Sequence, residues 1–242
     1  MKFSGEYRVN ANDMDVNSIV SASAVMRFMQ DAAFSQMEDA GMSYGRLVSE
    51  YGAAFILSTL RLRLYAPLYS HDRIIGESWA CPSRGVTFMR SHRILRGGAV
   101  MAEAVTAWAL VGVTDKRLHR VGELALPYGE EEAIPIDTPT RLKIPAELAM
   151  PQVGTHTVTY TDIDSNGHMN NTKYPDLLCG YIGDMRGRRV TSLLMHFQHE
   201  APLGETIRIC CGSETDNAYY LRTLRADGTT NVEAQVTLAP ME

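Results

Sequence analysis

Hydrophobic and polar positions alternate along most of this chain, and a helical period interrupts them once in each half. Leu60, Leu62 and Leu64 alternate with Arg61, Arg63 and Tyr65, the period of two expected of a strand with one buried face. Residues 72–80, 87–95 and 100–113 continue the pattern, with Pro82, Gly85, Gly97 and Gly98 in the turns between them. Ahead of these runs, residues 6–10 predict a short strand. Val25, Phe28, Met29, Ala32, Ala33 and Met37 recur at helical spacing, predicting a helix from a Ser21 or Ser23 cap to a stop at Gly41. The order then repeats. Residues 155–160 predict a strand, Asn171 or Thr172 caps a helix that tolerates Pro175 in its first turn, and strands follow near 190–199, 206–211, 218–224 and 231–238.

A repeated motif supports the duplication. Asp13-Met14-Asp15-Val16-Asn17 recurs as Asp162-Ile163-Asp164-Ser165-Asn166, and Ala66-Pro67-Leu68 recurs as Ala201-Pro202-Leu203. Between the copies, Glu130, Glu131 and Glu132 and four prolines (Pro135, Pro139, Pro145 and Pro151) mark a linker. The chain therefore divides into a unit at 1–130, a Pro-rich linker at 131–151 and a second unit at 152–242. One helix followed by an antiparallel meander, twice over, predicts an α+β fold of two tandem hotdog units. Each is a long antiparallel sheet wrapped around a central helix.

Composition narrows the function classes. Hydrophobic residues make up 45% of the 242 and charged residues 21%, enough apolar material for a core and too much for a disordered chain. The formal net charge of −5 argues against a nucleic-acid partner, which requires a basic face. No run approaches the ~20 apolar residues of a membrane helix, and the opening residues carry no signal-like hydrophobic region. A cytoplasmic location with no membrane partner is the expectation. Cys81, Cys179, Cys210 and Cys211 form neither a disulfide framework nor a metal knuckle, which fits reduced thiols.

The chemistry concentrates in residues 161–174, where two carboxylates, three amides and His168 precede the second helix. At the same register the first unit has Ile19 for His168, and Val20, Ser21 and Ala22 for Met169, Asn170 and Asn171. Aligning the Ala-Pro-Leu echoes places Tyr65 opposite Glu200. An acid/base set thus survives in the second unit, and the first becomes scaffold or substrate pocket. A calcium loop is the main decoy. Residues 162–167 open like an EF-hand, but its twelfth position is Lys173 where a bidentate Glu is needed.

The run Asp162-Ile163-Asp164-Ser165-Asn166-Gly167-His168-Met169-Asn170-Asn171-Thr172-Lys173-Tyr174 closely resembles the active-site motif of the acyl-acyl carrier protein thioesterases. Trp108 with Asp115-Lys116-Arg117-Leu118, and Phe197-Gln198-His199-Glu200, also resemble that family. The resemblance implies a catalytic network of Asp164, Asn166, His168 and Glu200. It also implies hydrolysis of fatty acyl-acyl carrier protein thioesters, with the carrier protein's phosphopantetheine-linked acyl chain as partner and substrate. No cofactor or metal is called for, and a homodimer is compatible with the family. Ala201 stands where plant members often carry a Cys after the Glu, which argues against covalent Cys catalysis.

Water attack on a thioester suits these residue types. Asp164 would hold His168 and Asn166, Glu200 or His168 would activate water, and Asn166 would orient water or substrate. Backbone amides near Asn170 and Asn171, at the start of the helix, are candidates for the oxyanion. Val25, Phe28 and Met29 on the first helix are candidates for the acyl-binding surface. Arg186, Arg188 and Arg189 form either a solvated turn or a contact for the carrier. Two other readings are a hydratase or dehydratase acting on acyl thioesters, and a nonenzymatic acyl-thioester binding module.

Overall fold

The computed structural model describes residues 2–123, 126–127 and 129–241. Ten antiparallel strands form one sheet. The first half contributes β1 (Phe3–Arg8), β2 (Ala53–Leu64), β3 (Arg73–Arg84), β4 (Thr87–Arg96) and β5 (Ala99–Gly112). The second contributes β6 (Gln152–Thr157), β7 (Arg188–Phe197), β8 (Thr206–Thr215), β9 (Ala218–Leu224) and β10 (Thr230–Pro240). Their spatial order is β1-β3-β4-β5-β2-β7-β10-β9-β8-β6, so each half reads as the reverse of the other. The seam is the β2–β7 pair, with Arg61 opposite Leu194 and Leu62 opposite Leu193. Leu60, Leu62, Leu193 and Met195 are buried there within the main core.

The helices lie against one face of this sheet. Helix α1 (Ala22–Asp39) starts where the Ser21 hydroxyl accepts from the Ala24 N–H, a cap whose loss costs ~1 kcal/mol. It packs against β3 and β4. Helix α2 (Tyr44–Tyr51), not anticipated from the period, is capped by Ser43 and ends at Gly52 in the left-handed conformation. The second half's helix begins as a 3-10 turn at Asn171–Lys173, capped by the Asn170 side chain rather than by Asn171 or Thr172. It continues as α3 (Tyr174–Cys179), with Pro175 in its first turn. No helix among the described residues is long and apolar enough to cross a membrane.

The Pro-rich segment has neither helix nor strand, yet it is a packed strap on the opposite face. The Trp79 indole N–H donates to Glu132 O and the Ile134 N–H to Ser91 Oγ. Ile134 is buried with Trp79, Cys81 and Val105. At its far end, Leu148, Ala149 and Met150 lie so close to Gly212 that a Cβ there would collide with Ala149 O. Glycine at 212 is therefore what lets the strap lie flat on β8.

Candidate active site

The two copies of the Asp-x-Asp-x-Asn motif fold as the same turn. The Asp15 N–H donates to Ile19 O and the Asp164 N–H to His168 O. Asn17 N–H donates to Asp15 Oδ1, and Asn166 N–H to Asp164 Oδ1, each at 2.8 Å. These are Asx turns, which short carboxylates form readily with the amide two residues on. Asp162 is a staple for the same loop. Its Oδ2 accepts from the Thr159 N–H and hydroxyl and lies 3.0 Å from His156 Nε2. Burial pushes its carboxyl pKa up, but these partners outweigh that and hold it below the ordinary value.

Backbone pairing brings His168 and Glu200 together. The Met169 N–H donates to Ala201 O at 2.9 Å, and His168 bridges to Pro202. Each residue of the pair is therefore next in sequence to a residue of that link. The result is His168 Nε2 at 3.2 Å from Glu200 Oε2, both side chains partly open to solvent. The Asp164 side chain, by contrast, makes no hydrogen bond to the His168 ring. Its Oδ1 accepts from the Asn166 N–H and the Asp164 N–H donates to His168 O, so Asp164 is tied to both residues through the backbone of the loop.

The same hydrogen bonds correct the register of the repeat. Val9 N–H donates to Asp72 O as Val158 does to Glu205 O, and Val20 N–H donates to Leu68 O as Met169 does to Ala201 O. Ala201 therefore corresponds to Leu68, and Glu200 to Pro67. Tyr65, expected at that place, instead donates from its hydroxyl to Glu103. The Ala-Pro-Leu echo is out of structural step by two residues, because strand ends tolerate such slips when the hydrogen-bond pairing does not follow the sequence likeness. The first half still lacks both groups of the pair, since Ile19 is buried and Pro67 has no titratable side chain.

Two cavities meet at the motif. One, of about 610 Å³, is lined by His168, Glu200, Phe197, Val48 and Lys116. The other, of about 700 Å³, runs into the first half, lined by Ala33, Phe34, Met37, Phe88, Met89 and Trp108. Both fall in the ~300–1,000 Å³ range of small-molecule sites. Tyr44, Phe55, Asp164, Ser165, Asn166 and Asn171 border both and form the neck between them.

Asn171 thus lies at the neck, and Asn170 lines the larger cavity. The Asn170 N–H already donates to Asp162 O, and the Thr172 N–H to Asn170 Oδ1. Among the amides near Asn170 and Asn171 that are candidates for an oxyanion, those of Asn170 and Thr172 are thus engaged within the loop. Val25 and Met29 are buried in the core, and Phe28 packs against it. The residues of α1 that line the larger cavity are Gln30, Ala33, Phe34 and Met37. The helix is apolar on more than one side, so its period cannot tell the core face from the cavity face. Arg188 is held by Tyr219, Asp216 O and Asn217, and Arg189 donates to Leu64 O. Arg188 thus holds the turn between β8 and β9, and Arg189 ties the start of β7 to the end of β2.

Tyr44 and Phe55 escaped the sequence reading. The signal for Tyr44 was the Ser43-to-Gly52 bracket around an amphipathic run; Phe55 lies in β2, beyond it.

Asn17 has a different task from Asn166. Its Nδ2 donates to Met185 O and Arg188 O, and its Oδ1 accepts from the Gly187 N–H. It clamps the turn before β7 to the first half. Asn17→Ala is expected to lower stability by about 1–3 kcal/mol through these unpaired groups while leaving kcat near the parent value. Urea unfolding alongside a kinetic assay checks both, and a collapse of kcat in a folded variant would give the first motif a role in the chemistry.

Comparison with known proteins agrees with this architecture. The family model described as the acyl-ACP thioesterase N-terminal domain matches residues 1–126, and that of the acyl-ACP thioesterase C-terminal domain matches residues 147–239. A chloroplastic palmitoyl-acyl carrier protein thioesterase of Arabidopsis thaliana is 21% identical over 215 residues, covering 82% of this chain and 52% of its own. The chain thus spans about half the length of that curated relative. Among solved structures, an acyl-ACP thioesterase from Bacteroides thetaiotaomicron superposes with a TM-score of 0.88 at 18% identity, covering 98% of each chain. The 12:0-ACP thioesterase of Umbellularia californica gives 0.83 at 16% identity, covering 99% of this chain and 97% of its own. These neighbours share the tandem hotdog fold, and with family models matching both halves, this chain belongs to the acyl-ACP thioesterase family.

Proposed function

We propose that the chain hydrolyses fatty acyl-acyl carrier protein thioesters to free fatty acid and holo carrier protein. The observation that carries this reading is the His168–Glu200 pair, 3.2 Å apart beside the neck of an apolar cavity. The acyl chain would lie along Ala33, Phe34 and Met37, with the thioester at the neck and the carrier's phosphopantetheine arm leaving through the cavity lined by His168. Water held by the pair attacks the carbonyl carbon, and its proton passes to the pair. The tetrahedral oxyanion is met by the Asn171 N–H and the Asn166 side chain. As the C–S bond breaks, the pair returns the proton to the thiolate.

Thiol release tests this directly. Acyl thioesters of carrier protein and of coenzyme A, over a range of chain lengths, should liberate a free thiol that a thiol-reactive dye detects. A hydratase, a dehydratase or an inert binder would release none. No release from any substrate would overturn the hydrolase reading.

Three of the four thiols of the chain are ill suited to replace water as nucleophile. Burial pushes Cys179 up to about 12 and also raises Cys81 and Cys211, which suppresses the reactive thiolate. The residue after Glu200 is the buried Ala201. Alkylation of the native protein with iodoacetamide is therefore expected to leave at least half the activity. Complete inactivation that substrate protects against would restore a thiol mechanism.

A further inference from the structure

We propose that Tyr44, supplied by the first half, is a positioning residue for the second half's reaction: its hydroxyl fixes the Asn166 amide so that Nδ2 faces the reacting carbonyl. The proposal rests on the hydrolase reading above. The Tyr44 hydroxyl donates to Asn166 Oδ1, and both residues border the neck shared by the two cavities. The two ends of an Asn amide are nearly equal in shape and opposite in hydrogen-bonding sense. Unrestrained, the amide turns over and presents an acceptor to the carbonyl oxygen, which repels it. With Oδ1 committed to Tyr44, the donor end is the one turned to the substrate.

Comparison of the two halves supports the assignment. In the first motif, backbone groups of the other half engage both ends of the Asn17 amide. In the second, the other half supplies one hydroxyl, to the oxygen end. Each Asn thus reaches across the seam, but only Asn166 keeps its donors for the cavity.

Tyr44 is itself well placed to be a fixed point. It is the first residue of α2, whose cap is the Ser43 hydroxyl accepting from the Arg46 N–H. Leu47, one turn on, is fully buried with Met37 and Leu110. Burial, then the nearby Asp164 and Glu200 carboxylates, raise the Tyr44 pKa although its bond to Asn166 lowers it. The hydroxyl therefore stays protonated, as a donor must.

The test is a double-mutant cycle on the full chain, with kcat and KM for an acyl-carrier protein thioester and thermal melting for each variant. Tyr44→Phe removes one oxygen and is expected to lower kcat about 10-fold, the scale of one net hydrogen bond, with KM changed less than about 2-fold. In an Asn166→Ala background the same change should alter kcat by less than about 2-fold. Asn166→Asp, which has no amide donor, should lose at least as much kcat as Tyr44→Phe, giving a readout that does not depend on how Tyr44→Phe folds. The proposal is overturned by normal kcat in Tyr44→Phe, by an equal loss in both backgrounds, by an effect on KM alone, or by full activity in Asn166→Asp. Absence of thiol release in the parent protein would instead overturn the hydrolase reading, and this role with it.

Discussion

His168→Ala and Glu200→Ala are each expected to lower kcat at least ~10²-fold, the low end of general acid–base effects. The pair is held by backbone pairing of Met169 with Ala201 and of His168 with Pro202, which neither substitution touches, so the folded state should survive. In the proposed mechanism the two groups work on one proton. Removing either strands the other: an imidazole without Glu200 loses the carboxylate 3.2 Å away, and a carboxylate without His168 loses the group that would order water beside it. The losses should therefore not add, and the double variant should be about as slow as the slower single one. Steady-state thiol release, with melting temperature as the control, decides the matter. A near-normal kcat in either single variant would remove that residue from the chemistry.

Ala33→Phe is expected to move the preferred acyl length downward. The kcat/KM for the longest good substrate should fall at least ~10-fold relative to one several carbons shorter. Ala33 stands on the cavity side of α1 with Phe34 and Met37, where a ring displaces chain volume. Filling packed space typically costs ~1–3 kcal/mol, enough for a 10-fold or larger discrimination. Val25→Ala supplies the contrast. It lies in the core away from this cavity and should cost ~1–3 kcal/mol of stability without moving the chain-length profile. A chain-length series of kcat/KM values for both variants tests the pair, and an unchanged profile in Ala33→Phe would place the acyl chain elsewhere.

The fold was legible because its signals are redundant. Alternating runs such as that ending at Leu64 bury one face, and the doubled Asp-x-Asp-x-Asn turn marks the duplication independently of any strand boundary. His168 was legible because it stands inside a contiguous motif. What escaped depends on pairing between distant segments. The Ala-Pro-Leu likeness suggested Tyr65 as the counterpart of Glu200, whereas the hydrogen bonds of Val20 and Met169 give Pro67. Helix α2 is too short for its period to stand out, and so Tyr44 was missed. The cavity face of α1 could not be chosen among several apolar faces until β4 and β5 were in place around it.

The β2–β7 seam has an evolutionary consequence. In a symmetric pair of separate identical chains, every substitution occurs twice, so a residue that helps chemistry in one copy also alters its twin. Joining the copies in one polypeptide removes that restraint while keeping the sheet continuous across the junction. Ile19 and His168 then become independent positions under separate selection. One copy is free to specialise as a lipid-shaped hollow, the other as a hydrolytic centre, and each can change without forcing the same change on its counterpart.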